Sequence, residues 1–155
     1  MEHPEVVSSD LTLLFTALAA ACEAEVRALM AAAGHDQVRS VHGYVFQHLL
    51  TGPVRVSDLA GLLGMTPQGA SKVAAEMERI GYVSRRADPG DQRARMIELT
   101  PHGRAAVEAG RAARKAVSAR MLGLLDAPEE FLASLNRLGE ETGALRELLA
   151  RRLRP

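Results

Sequence analysis

A single cysteine, Cys22, occurs in 155 residues. That excludes an internal disulfide and fits a reducing compartment, so the expected location is the cytoplasm. Long apolar runs are also missing. The longest weakly polar stretch, Leu11 to Cys22, is interrupted by threonines and closed by Glu23, and falls short of the roughly 20 residues that span a bilayer. No basic segment leads into a short apolar run and a small-residue cleavage site, so no export signal and no membrane association are expected. Net charge is zero, with 19 basic and 19 acidic side chains, which excludes a uniformly basic nucleic-acid coat. Gly-rich phosphate loops, Gly-x-Ser-x-Gly and His-Glu-x-x-His are absent, and nothing places a histidine beside Cys22 to make it a nucleophile. His35, His42, His48 and His102 lack the tight spacing of a metal site. Neither an enzyme, a cofactor nor a metal is expected.

What is present reads as a globular chain. Hydrophobic residues make up 47% and charged residues 25%, which argues against disorder and suits one compact domain or a small module with an appended assembly element. The balanced charge is unevenly spread. Residues 1–53 carry two basic and six acidic side chains, residues 54–104 eight and six, and residues 105–155 nine and seven. Any binding to nucleic acid must therefore come from a local patch.

Apolar residues at Leu11, Phe15, Leu18, Cys22, Val26 and Leu29 predict a long first helix, ended near Gly34. A second helix is expected from about Val38 to Leu50, with His42 and Val45 on one face, stopped by Thr51-Gly52-Pro53. Val54 and Val56 predict a very short strand before Ser57, a good N-cap. Ser57 would open a short helix burying Leu59, Leu62 and Leu63, closed by Gly64. Thr66-Pro67 repeats the start signal, an N-cap followed by proline where its missing N–H costs nothing. That helix should run to Ile80 and stop at Gly81, with Ala70, Val73, Ala74, Met77 and Ile80 inward and Gln68, Ser71, Lys72, Ala75 and Arg79 outward. Strands are expected over Tyr82–Arg86 and Arg95–Leu99, around a turn at Asp88-Pro89-Gly90-Asp91. Thr100-Pro101 should start a long helix to about Leu125, and Glu129 another that runs almost to the end. In the latter, Phe131, Leu135, Leu138, Thr142, Leu145 and Leu149 keep a heptad-like rhythm.

A short helix, a glycine turn and a second helix with a polar outer face is helix-turn-helix grammar, and the hairpin makes it winged. Gln68 can bond adenine bidentately, Ser71 a phosphate or base edge, and Lys72 guanine or phosphate, while Ala75 leaves room for the approach. The alternative is a solvated face on a buried helix. Arg85, Arg86, Arg93 and Arg95 flank the turn, and such arginines suit adjacent backbone and a narrow minor groove. Asp91, two residues before Arg93, would hold its guanidinium in the inserted pose. A solubilising surface turn is the alternative here.

Residues from about Arg55 to Gly103, "SDLAGLLGMTPQGASKVAAEMERIGYVSRR" and then "DPGDQRARMIELTPHGR", resemble the MarR (multiple antibiotic resistance regulator) family of bacterial winged-helix transcription factors. Asp91-Gln92-Arg93 and the Leu99-to-Gly103 segment are the most specific marks. The expected fold is mainly α with a small β-hairpin, a winged helix-turn-helix flanked by N- and C-terminal dimerisation helices. The expected division is residues 1–53 for support and dimerisation, 54–103 for DNA binding and 104–155 for dimerisation.

The resemblance implies a homodimeric transcriptional regulator, a repressor acting on a pseudo-palindromic double-stranded operator. Its expected DNA contacts are Thr66, Gln68, Ser71, Lys72, Arg79, Arg86, Asp91, Arg93 and Arg95. It also implies a cleft between the dimerisation helices and the winged helix, often used for small aromatic acids. His42, with Phe46 at i+4, would meet such an effector there, unless it is a packed structural histidine. Cys22 stands where some oxidation-responsive relatives carry a sensing cysteine. It also lies in the first helix's apolar stripe, which makes it a packing residue on the other reading. A winged-helix protein-interaction module without DNA binding is the remaining rival. Gly69, near the start of the recognition helix, costs up to about 1 kcal/mol against alanine and leaves the base contacts open.

Overall fold

The computed structural model describes residues 9–150, apart from the side chains of Gln92 and Arg93. Asp10 opens the first helix, α1 (Leu11–Ala32), by accepting the N–H groups of Thr12 and Leu13 on its carboxylate. After a turn through Gly34 and His35 comes α2 (Ser40–Leu49). A two-residue strand, β1 (Val54–Arg55), leads into α3 (Val56–Leu63) and then α4 (Pro67–Ile80). The hairpin is β2 (Val83–Asp88) and β3 (Asp91–Leu99), followed by α5 (Pro101–Leu122), α6 (Pro128–Glu141) and α7 (Ala144–Leu149).

The start of α3 departs from expectation. Pairing of β1 with β3, Val54 with Ile97 and Arg55 with Met96, holds Arg55 extended, so Arg55 and not Ser57 occupies the N-cap position. Val56, expected in the strand, is the first helical residue, and Ser57 lies inside the first turn with its hydroxyl 3.3 Å from Asp58. The hairpin thereby becomes an antiparallel three-stranded sheet in the order β1-β3-β2. Its strands also reach further into the turn than expected. Register runs from Val83–Leu99 to Ala87–Arg95, then jumps to Asp88–Asp91, leaving Pro89-Gly90 at the tip.

One core lies where α2, α3, α4, the sheet and the start of α5 meet. Val45, Leu59, Leu63, Ala70, Ala74, Met77, Tyr82 and Ile97 are its most buried members. Each buried leucine or isoleucine contributes about 1.5–3 kcal/mol of transfer free energy. Thr100 ties α5 to the sheet. Its hydroxyl donates to the Gly81 carbonyl at 2.6 Å and accepts the Gly103 N–H at 3.0 Å. Gly103 passes so close to the Tyr82 carbonyl that a Cβ there would lie 2.0 Å from the oxygen.

Helix α1 lies along α5, with Met30 buried beside Gly110 and Glu25 paired to Arg120. The last helix is not continuous as its leucine rhythm implies. Gly143 adopts φ 74° and turns the chain, so that Leu145 packs back on Gly139. Neither α6 nor α7 buries a residue. Leu11, Leu13, Phe15 and Leu18 of α1, Phe131, Leu132 and Leu138 of α6, and Leu148 and Leu149 of α7 are all exposed on the single chain. Among the described residues no helix is long and apolar enough to cross a membrane.

Candidate nucleic-acid interface

Helix α4 is built to present one face. Thr66 caps it by accepting the Gly69 N–H at 3.2 Å, and Pro67 takes the first position. Ala70, Val73, Ala74 and Met77 face the core. Gln68, Ser71, Lys72, Ala75 and Arg79 stand exposed in a row on the other side, as expected. Gly69 has a local explanation, since a Cβ there would sit 3.1 Å from Met65 Cε and 3.2 Å from the capping hydroxyl. The helix N-terminus adds partial positive charge beside Lys72, which suits phosphate.

The wing beside it is anchored by a residue that sequence reasoning treated only as part of a turn. Asp88 is buried, accepts the Gly90 N–H at 2.8 Å and pairs with Arg55 of β1 at 2.5 Å. The Gly90 N–H, and then Arg55, hold its carboxyl below the ordinary carboxylate range. An aspartate opening an Asp-Pro-Gly-Asp turn is the signal that pointed to this role.

Two of the wing arginines are matched by carboxylates. Arg85 is paired with Glu78 of α4 at 3.0 Å, and Arg86 with Glu98 of β3 at 3.3 Å. The second pair is exposed, and such pairs are worth about 0–1 kcal/mol, so Arg86 remains available to phosphate. Asp91 and Arg95 are exposed. The expected support of Arg93 by Asp91 lies outside the described residues.

Between α1, α2 and α5 opens a cavity of about 360 Å³. Val26, Met30, Val38, Phe46 and Val107 supply its apolar wall, and Arg27, Arg39 and Arg114 its positive charge. Phe46 is there as expected, but His42 is not. His42 is fully buried on the core side of α2, accepts the Arg39 N–H on Nδ1 at 3.2 Å, and faces Glu76 of α4 with Nε2 at 3.6 Å. Burial holds its pKa below the ordinary imidazole value, against the pull of Glu76. A different histidine lines the cavity. His35 is buried there against Tyr82 and His102, with Nδ1 making no hydrogen bond. Cys22 is half-buried and lines the cavity beside Val26. Among the described residues no group of three or more His, Cys, Asp or Glu is placed to hold a metal.

Comparison with known proteins places this geometry. The sequence profile of the MarR family matches residues 36–94, from the end of the α1–α2 turn to the wing. Residues 36–94 of the chain are similar to the MarR family. The chain is similar to the HTH-type transcriptional repressor Rv2887 of Mycobacterium tuberculosis, 34% identical over 87 residues, and the matched stretch spans 55% of this chain and 63% of that relative. The solved structure of that MarR family protein in complex with salicylic acid aligns with a TM-score of 0.57 at 29% identity, over 84% of this chain and 97% of that one. YusO of Bacillus subtilis shares the fold with a TM-score of 0.70 at 24% identity, over 92% of this chain and 99% of YusO. A MepR variant of S. aureus, solved bound to an oligodeoxyribonucleotide, gives 0.63 at 19% identity, over 88% and 98%. Within this winged-helix fold, α3 and α4 are the helix-turn-helix, β2 and β3 the wing, and α1, α5, α6 and α7 the flanking helices.

Proposed function

We propose that the protein is a homodimeric, sequence-specific DNA-binding transcriptional repressor, released by a small aromatic acid held in the cavity between α1, α2 and α5. The single observation that carries this reading is the exposed row Gln68, Ser71, Lys72, Ala75 and Arg79 on a capped, core-anchored helix beside the wing. Among the described residues no ion pair neutralises Lys72 or Arg79, so both charges are left for phosphate or base edges. The oligodeoxyribonucleotide in the MepR structure and the salicylic acid in the Rv2887 structure support the same reading. So does the pairing of an apolar wall with three arginines against two carboxylates, Glu23 and Asp36, in the cavity, a net positive lining that suits a ring bearing a carboxylate.

Residues 54–103 are assigned to DNA, with Thr66, Gln68, Ser71, Lys72, Arg79, Arg86, Asp91, Arg93 and Arg95 as its contacts. Residues 1–53 and 104–155 are assigned to support and dimerisation. Thr66 spends its acceptor on the helix cap and keeps its hydroxyl proton for a phosphate. Arg93 enters on the Asp91-Gln92-Arg93 motif alone. Lys72→Ala and Arg93→Ala should each weaken operator binding by about 1–3 kcal/mol and leave thermal stability nearly unchanged. Fluorescence anisotropy over a salt series measures both, and loss of a phosphate contact lowers the salt slope by about one. Unchanged affinity in both variants would favour a protein-interaction module instead.

A further inference from the structure

Three arginines line the cavity, and one of them has a partner outside it. Arg27 is held 3.7 Å from Glu23, and both line the cavity. Arg39 is bonded through its guanidinium to Glu76, which lies on α4 and is not part of the cavity wall. The same Arg39 donates its backbone N–H to His42 Nδ1, and His42 Nε2 faces the other oxygen of Glu76 at 3.6 Å. One residue thus belongs to the cavity wall and also ties the start of α2 to the helix that carries Gln68, Lys72 and Arg79.

We infer that Arg39 couples the cavity to α4, because an anion bound in the cavity competes with Glu76 for its guanidinium. This rests on reading the cavity as an effector site. The Arg39 side chain is 56% exposed and that of Glu76 29%, so water screens the pair and its net worth is small. A ligand carboxylate in a mostly apolar cavity offers a charge-assisted partner with less screening. When Arg39 turns to the ligand, Glu76 is left facing the buried imidazole of His42, and α4 loses its tie to the start of α2. The ligand can shift α4 only by as much as it prefers the state in which Arg39 has left Glu76.

The test is a double-mutant cycle on the full chain, read by calorimetry without DNA, with salicylate as the probe and its neutral amide, salicylamide, as control. Arg39→Gln should weaken salicylate about tenfold or more, the size of one lost charge-assisted hydrogen bond, and leave salicylamide unchanged. Glu76→Gln should tighten salicylate several-fold by removing the competitor. In the Arg39→Gln background the Glu76→Gln change should have no effect, because the competition has lost its object. Arg39→Met replaces Arg39→Gln if the latter does not fold. Tightening by Glu76→Gln that persists without Arg39 would reveal a through-space charge effect and overturn the proposal. So would salicylate affinity indifferent to Arg39, or no salicylate binding by the wild type. In a separate arm with operator DNA, Glu76→Gln should bind salicylate more tightly yet be released by it less. A wild type that shows the cycle but binds no DNA would sink the repressor reading and leave the competition standing.

Discussion

Arg85 and Arg86 carry the same charge one residue apart, and strand alternation gives them different surroundings. Arg85 pairs across the sheet with Ile97, a core position, and is turned toward Glu78 of α4. Arg86 pairs with Met96 and stands exposed beside Glu98. The first therefore fastens the wing to the recognition helix, and the second is the one assigned to DNA. The same distinction separates the histidines. Burial holds His35 and His42 below the ordinary value of 6.5, so below that pH the unfolded chain binds more protons than the folded one. Their contribution to stability is complete above about pH 6.5 and is lost as pH falls through 6.5 toward the folded values. The thermal midpoint should drop between about pH 7.5 and pH 5.5, a window above ordinary carboxylate titration. His42→Asn should flatten that slope whatever it does to absolute stability. A slope identical to wild type would show that His42 does not take up the proton.

At the scale of elements, the join between wing and α5 is the least tolerant point. Gly103→Ala would press a methyl group against the Tyr82 backbone carbonyl, an obstacle that no rotamer change removes. A loss of about 3 kcal/mol or more is expected, read by denaturant unfolding. A loss below about 1 kcal/mol would mean that the join shifts freely. Elements bounded by local chemistry were legible in the sequence. Helix α4 begins and ends where Thr66-Pro67 and Gly81 place it, because capping involves neighbours in the chain. Elements bounded by distant partners were not. Ser57 has the right chemistry for a cap, but pairing of Arg55 with Met96 settles where α3 starts. The break at Gly143 was masked because Leu138, Leu145 and Leu149 keep the heptad rhythm across it. The outer face of α4 was readable from period alone, whereas the cavity gathers residues from three helices. Phe46 therefore lines the cavity as expected, His35, Arg39 and Arg114 join it without a periodic signal, and His42, on the apolar face where its spacing put it, packs into the core instead.

The whole molecule has more apolar surface than one chain covers. Leu11 is 61% and Leu149 76% exposed, and Phe15, Leu18, Phe131 and Leu138 are 40% to 50% exposed. Exposed large apolar side chains in that number suit an interface, and under the proposed function the occupant is a second copy of the chain. Two-fold symmetry then sets two α4 helices against one duplex, with half-sites about one helical turn, roughly 10 base pairs, apart. Under the same proposal, an occupant of the cavity between α1, α2 and α5 would act on the spacing of the pair. Selection of bound fragments from a random double-stranded DNA pool tests the dimer and its sequence preference in one measurement. The account predicts enrichment of an inverted repeat with half-site centres about one turn apart. Enriched sites without inverted symmetry, or no enrichment at all, would contradict it.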